Sequence, residues 1–179
     1  NEQGLLLITP HIGSYDLAGR FISERLPFPL TAMYRPPKIA WLEPIMQAGR
    51  ERDQGHTAPA NAQGVKIVLK ALKNKEATIV LPDQVPTGGD GVWAHFFGQE
   101  AYSMTLAARL AQMNGVATLF FVGERLPHGR GFSLHVYPLE GAIGRDKLAN
   151  VEILTPNVEK LISLFPSQSL FSYNRFKTH

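Results

Sequence analysis

The sequence predicts a single α/β domain with a mixed, mostly parallel central sheet flanked by helices. Three observations carry that expectation. Short apolar runs at residues 5–9, 30–34 and 77–81 are each closed by a proline or a proline turn, as buried strands are. Between them lie stretches with apolar residues at helical spacing. No internal repeat, low-complexity segment or linker breaks the order, and 179 residues suffice for one substantial domain but not comfortably for two.

Taken in order, the first strand ends at Pro10, and Ser14 is placed to cap a helix over residues 15–26, stopped by Pro27 and Pro29. The second strand, at 30–34, stops at the Arg35-Pro36-Pro37-Lys38 turn. A helix over 39–50 follows, with Leu42, Ile45 and Met46 on one face. Residues 51–58 are polar and read as loop. Asn61 starts a helix through Lys75 carrying Val65, Val68, Leu69 and Leu72 at helical spacing. After the strand at 77–81, Pro86, Gly88, Gly89 and Gly91 mark a long loop. A helix is expected over 102–113, with Leu106 and Leu110 inward and Gly115 as its stop. Two strands, 116–123 and 132–137, come next; the second alternates, with Phe132, Leu134 and Val136 on one face. A last helix is expected over 156–164.

Composition narrows the chemistry. There is no cysteine, which excludes disulfides, thiolate metal sites and a thiol nucleophile. The six histidines lack metal-ligand spacing, and neither a phosphate-binding P-loop nor a dinucleotide fingerprint occurs, so no cofactor or metal is expected. No Gly-x-Ser-x-Gly elbow surrounds a serine, against an ordinary serine hydrolase. Aromatic and basic residues are not interleaved as an RNA-binding sheet requires, so no nucleic acid partner is expected. The net charge is +3, and the basic residues pair locally: Arg35 with Lys38, Arg50 with Arg52, Arg175 with Lys177. Such clusters suit phosphate-bearing partners or an anionic membrane surface. No stretch approaches the roughly 18 apolar residues needed to span a bilayer. The chain opens on Asn1 rather than Met, and the expectation is that a preceding segment has been removed.

Three motifs carry possible chemistry. His11-Ile12-Gly13-Ser14-Tyr15-Asp16 places a histidine in the loop after a strand and an aspartate in the first turn of the next helix. From there Asp16 is expected to hold one ring nitrogen, leaving the other as general base. The alternative is a strand-end histidine beside a capping aspartate. Tyr34-Arg35-Pro36-Pro37-Lys38, followed by Arg50, would form a cationic rim for a phosphate or carboxylate, or else a solvated basic turn. Leu81-Pro82-Asp83-Gln84 opens into the glycine-rich loop and Phe96-Phe97-Gly98; Asp83 and Gln84 are candidate substrate-rim residues. Phe96 and Phe97 either border an acyl groove or pack the core.

In order and with these separations, the segments resemble the bacterial lipid A biosynthesis (lauroyl/myristoyl) acyltransferases, within the glycerolipid acyltransferase superfamily and its His-x4-Asp/Glu signature. The resemblance runs from Gly4-Leu5-Leu6-Leu7-Ile8 and His11 to Asp16, through Gly49-Arg50-Glu51-Arg52, Ala71-Leu72-Lys73 and Leu81-Pro82-Asp83-Gln84. It closes with Pro166-Ser167-Gln168 and Tyr173-Asn174-Arg175-Phe176-Lys177. It departs at Asp16, where the lipid A branch often has Glu, and at Ser14-Tyr15, where it often has Asn-Trp.

The resemblance implies a glycerolipid-acyltransferase-like fold over residues 1–179, with His11 as catalytic base and Asp16 as its relay carboxylate. It implies Arg35 and Arg50 near the acceptor and Asp83 in the third conserved block. It also implies an acyl carrier protein as acyl donor, a phosphorylated glucosamine disaccharide lipid as acceptor, and an N-terminal anchor on the cytoplasmic face of the bacterial inner membrane, absent from this chain. Other readings are an acyltransferase for another glycolipid or a lysophospholipid, a hydrolase, and a non-catalytic lipid- or carrier-binding module.

Overall fold

A computed structural model describes residues 2–35, 37, 39–86 and 89–177. Six strands form one sheet in the order β3-β2-β4-β1-β7-β8. They are β1 (Gly4–Ile8), β2 (Leu30–Tyr34), β3 (Gly55–Pro59), β4 (Ala77–Val80), β7 (Val116–Arg125) and β8 (Phe132–Pro138). All pairings are parallel except β7 with β8, which is antiparallel. The mixed, mostly parallel sheet is the one the sequence predicts.

β1 lies between β4 and β7, so Leu6, Leu7 and Ile8 are covered on both faces and are buried. Such two-sided burial needs a continuous apolar run rather than alternation. Helix α1 (Tyr15–Arg25) covers one face, packing Ala18 and Ile22 against Leu7, Leu30, Ile79 and Phe121. On the other face lie α3 (Ala62–Lys73), α4 (Leu106–Ala111) and α5 (Lys147–Leu164), which bury Val68, Leu72, Leu110, Leu154 and Leu161 against Leu6, Ile8, Phe120 and Val122. Asn61 caps α3 as expected, its side-chain oxygen accepting from the N–H groups of Gln63 and Gly64 at 3.0 Å.

Three local expectations differ from the structure. Gly55–Pro59 is a strand, not loop: β3 pairs only with β2 at the sheet edge, where a polar sequence and a terminal proline are tolerated. Residues 91–104 form a separate hairpin of β5 (Gly91–Phe96) and β6 (Gln99–Met104), which takes the first residues of the helix expected over 102–113 and leaves only Leu106–Ala111 helical. Its two-residue turn has positive φ at Phe97 (49°) and Gly98 (75°), as a tight hairpin of this kind requires.

The last helix begins nine residues before Pro156, at Lys147, where Asp146 Oδ1 accepts from Ala149 N–H at 2.7 Å. Pro156 therefore lies inside the helix, where a proline removes a backbone donor. Asn157 supplies a side-chain donor one turn away, to Ile153 O at 2.8 Å, while Val151, Leu154, Val158 and Leu161 keep both halves anchored in the core. Phe132, Leu134 and Val136 share one face of β8 as expected, and that face is exposed.

Residues 39–50 are helical as expected, in two pieces: a 3₁₀ turn at Ala40–Leu42 leads into α2 (Glu43–Arg50).

Candidate functional site

The site follows from strand register. β1 and β4 run parallel with Ile8 opposite Val80, and three residues beyond each strand's end stand His11 and Asp83. The pairing continues at that offset through side chains. Asp83 Oδ1 lies 2.8 Å from His11 Nδ1, and Asp83 Oδ2 accepts from the His11 backbone N–H at 2.9 Å. A carboxylate only accepts, so Nδ1 carries the proton. Nε2 has no hydrogen-bond partner among the described residues. The pair is largely enclosed, with side-chain exposures of 19% and 13%.

The structure thus corrects the expected partner of the imidazole. Asp16 does sit in the first turn of α1, but its side chain is 57% exposed and directed to another cation. Arg50, in the last turn of α2, donates from Nε and Nη2 to Asp16 Oδ1 and Oδ2 at 3.1 and 3.2 Å. The physical reason is competition. A carboxylate in register on the neighbouring strand meets the ring and the backbone of His11 together, while Asp16 finds a two-point partner in a guanidinium.

Tyr15 separates the two pairs, its ring edge-on to His11 at 5.2 Å. Burial pushes its phenol pKa up; Asp16 adds to the shift and Arg50 opposes it. Ser14 precedes α1 as expected, yet its side chain makes no cap bond; its backbone N–H donates instead to Gly123 O at 2.8 Å.

The loop that carries His11 is held at Gly13. Its φ is +58°, and a Cβ there would stand 2.2 Å from Gly123 O. Gly13 N–H donates to Gln168 O at 3.0 Å, and its own oxygen accepts from Arg125 Nη1 at 2.9 Å. Gln168, in the Pro166-Ser167-Gln168 segment, also brackets the Arg125 backbone with both ends of its amide. Gly13→Ala combines a left-handed backbone, costing about 1–2 kcal/mol, with overpacking of about 1–3 kcal/mol. We therefore expect a loss of about 2–5 kcal/mol in a denaturant titration. An unchanged midpoint would show that the β1–α1 loop can reroute.

A cavity of about 1070 Å³ opens at the carboxyl ends of the strands, where open α/β sheets bind ligands. His11 lines it; Asp83 stands behind the imidazole and does not. Side chains from both faces of the sheet form its walls, among them Leu30, Ala32 and Ile79 on the α1 side and Met33, Met104 and Leu106 on the other. Asp16, Arg35, Arg50 and Gln84 reach the same cavity, so five of the expected residues, His11 included, are brought together.

Phe96 and Phe97 are not among them. Phe96 is buried in the core beneath the hairpin, and Phe97 is exposed at the hairpin turn, where its N–H donates to Glu159. Lys38 lies outside the described residues. Arg20 and Arg109 also line the cavity, and sequence reasoning did not find them. Each is a single cation on a helix, with no local signal to set it apart from a solvated one. Among the described residues no group of side chains is arranged to hold a metal ion, and no helix is long and apolar enough to cross a membrane.

An imidazole with one nitrogen tied to a carboxylate and the other open to a roomy, apolar-walled, cationic cavity is suited to general-base chemistry on a long anionic substrate. The chain belongs to the bacterial lipid A biosynthesis acyltransferase family, whose sequence model matches residues 1–178. It is similar to the lipid A biosynthesis lauroyltransferase of Escherichia coli (strain K12), with 29% identity over 182 residues, covering 99% of this chain and 57% of that protein. The chain thus spans little more than half the length of that relative.

Proposed function

We propose that this chain transfers a fatty acyl group from an acyl carrier protein thioester to a hydroxyl of a phosphorylated lipid A precursor, with His11 as general base. The observation that carries this reading is the His11–Asp83 pair at the wall of the large cavity, in a chain of the lipid A acyltransferase family. Nε2 takes the proton of the acceptor hydroxyl as that oxygen attacks the thioester carbonyl. A carbon–oxygen bond forms, the carbon–sulfur bond breaks as the tetrahedral intermediate collapses, and the imidazolium returns its proton to the departing thiolate. Asp83 holds the ring in the one tautomer that leaves Nε2 unprotonated.

Arg35 and Arg50 at the cavity supply positive charge for the acceptor phosphates, and Lys38, three residues after Arg35 in the sequence, is the third cation assigned to them. The apolar walls suit the acyl chains. Beside the cavity, Ile39, Trp41 and Ile45 form an exposed apolar ridge, Trp41 being 69% exposed. A tryptophan among aliphatics next to cations suits a membrane surface, which supports action there; the surface proposed is the cytoplasmic face of the inner membrane, in keeping with the family. The test is to supply acylated carrier protein and a bis-phosphorylated glucosamine disaccharide lipid and to weigh the products by mass spectrometry. Lipid heavier by one acyl group is the expected result; free fatty acid alone, or an unconsumed thioester, would reject it.

A further inference from the structure

The C-terminal segment Tyr173-Asn174-Arg175-Phe176-Lys177 has no part in the reaction described so far, yet it contains a buried cation. Arg175 is 8% exposed. Its Nη1 donates to Tyr102 O at 2.8 Å and its Nη2 to Ser103 Oγ at 2.6 Å, both on β6. The guanidinium carbon sits 4.9 Å from the centre of the Phe96 ring. Its Nε is buried without a hydrogen-bond partner among the described residues. Three contacts therefore hold the head group, while none is a carboxylate bonded to it.

The nearby anion that matters is Asp83. Arg175 and Asp83 share the wall of a second, small cavity of about 20 Å³, with Ser103 and Thr155 as further polar lining. That is room for one water molecule, which needs about 10–15 Å³ measured this way and two or more polar partners. Asp83 thus stands between two compartments. Its oxygens face His11, which lines the large cavity, and behind it lies the small one with the cation. The same segment also ties down the Asp83 loop directly, since Val85 N–H donates to Tyr173 Oη at 2.9 Å.

We infer that Arg175 is a positioning residue: its charge, acting across the small cavity, keeps the Asp83 side chain aimed at His11 and so fixes the imidazole tautomer. Burial lowers the guanidinium pKa, and Asp83 opposes that shift, in accord with attraction between the two. Arginine keeps its charge in proteins even when buried. A cation at this place attracts the Asp83 carboxylate across the small cavity, and that acceptor-only group is met by Nδ1–H of the ring. The role assigned to Asp83 in catalysis rests on the acyl transfer reading; the effect of Arg175 on the ring does not.

The experiment separates the two. Nitrogen-15 NMR of His11 reports its tautomer without any substrate, and steady-state acyl transfer reports kcat and KM. In the parent chain His11 is expected to show the Nδ1–H tautomer. Arg175→Gln, which keeps side-chain donors but loses the charge, is expected to mix the two tautomers and to lower kcat by about 10- to 100-fold, the scale of losing an orienting partner one residue removed from the reacting group, with KM little changed. Arg175→Lys, which keeps the charge, is expected to retain the single tautomer and most of the turnover. An unchanged tautomer in folded Arg175→Gln overturns the inference. So does a mixed tautomer in folded Arg175→Lys, which decides the matter even where the glutamine variant does not fold. If the parent chain shows the expected tautomer behaviour but transfers no acyl group, the proposed function fails and the positioning stands.

Discussion

His11→Ala is expected to lower acyl transfer by about 10²- to 10⁴-fold, the usual worth of a positioned general base. The acceptor hydroxyl is a weak nucleophile at neutral pH, and the second imidazole on the cavity wall, His56 near the start of β3, has no carboxylate partner among the described residues to orient it. The fold is expected to survive, because the His11 side chain is partly exposed and its backbone N–H to Asp83 remains after truncation. Circular dichroism and thermal melting would check that, and single-turnover transfer from the acylated carrier would measure the loss. A folded His11→Ala protein that turns over near the parent rate would remove the imidazole from the reaction.

Asp83→Asn is expected to cost a similar factor, about 10²- to 10⁴-fold, for a reason specific to this geometry. Both oxygens of Asp83 accept from His11, one from the ring and one from the backbone. An asparagine has one oxygen and one NH₂ group. With the oxygen kept on the backbone N–H, the NH₂ group faces Nδ1 and asks it to accept. The proton then moves to Nε2, and the nitrogen that should take the acceptor's proton is blocked, a tautomer trap of the kind known from other histidine–aspartate pairs.

Asp16→Asn, by contrast, weakens a pairing with Arg50 on the cavity wall. It is expected to change KM for the phosphorylated acceptor more than kcat. The two variants measured side by side decide between the carboxylates. A larger kcat loss in Asp16→Asn would return the relay role to the residue five positions from His11.

That contrast also marks the boundary between what sequence and tertiary structure decide. The apolar strands, the α3 cap at Asn61 and the exit of His11 from β1 were all legible locally, because burial pattern and capping depend on near neighbours in the chain. So was the gathering of His11, Asp16, Arg35, Arg50 and Gln84, since parallel strands deliver their carboxyl ends to one rim. The β5–β6 hairpin was not legible. Its turn, Phe97-Gly98, lies between strands whose pairing with each other and packing on α5 outweigh the helical spacing of residues 102–110. Phe96 and Phe97 went with it, away from the cavity.

By itself, the sequence determined the α/β class, the strand-end histidine and the family to which the chain belongs. Only the tertiary structure decided which carboxylate meets that histidine. Spacing along the chain favours Asp16, five residues away. Parallel register sets Asp83 opposite His11 across 72 residues, and a hydrogen bond depends on distance in space, whatever the separation along the backbone. Arg175, at the far end of the chain, reaches the same carboxylate's surroundings for the same reason: the fold closes a separation that no local pattern records.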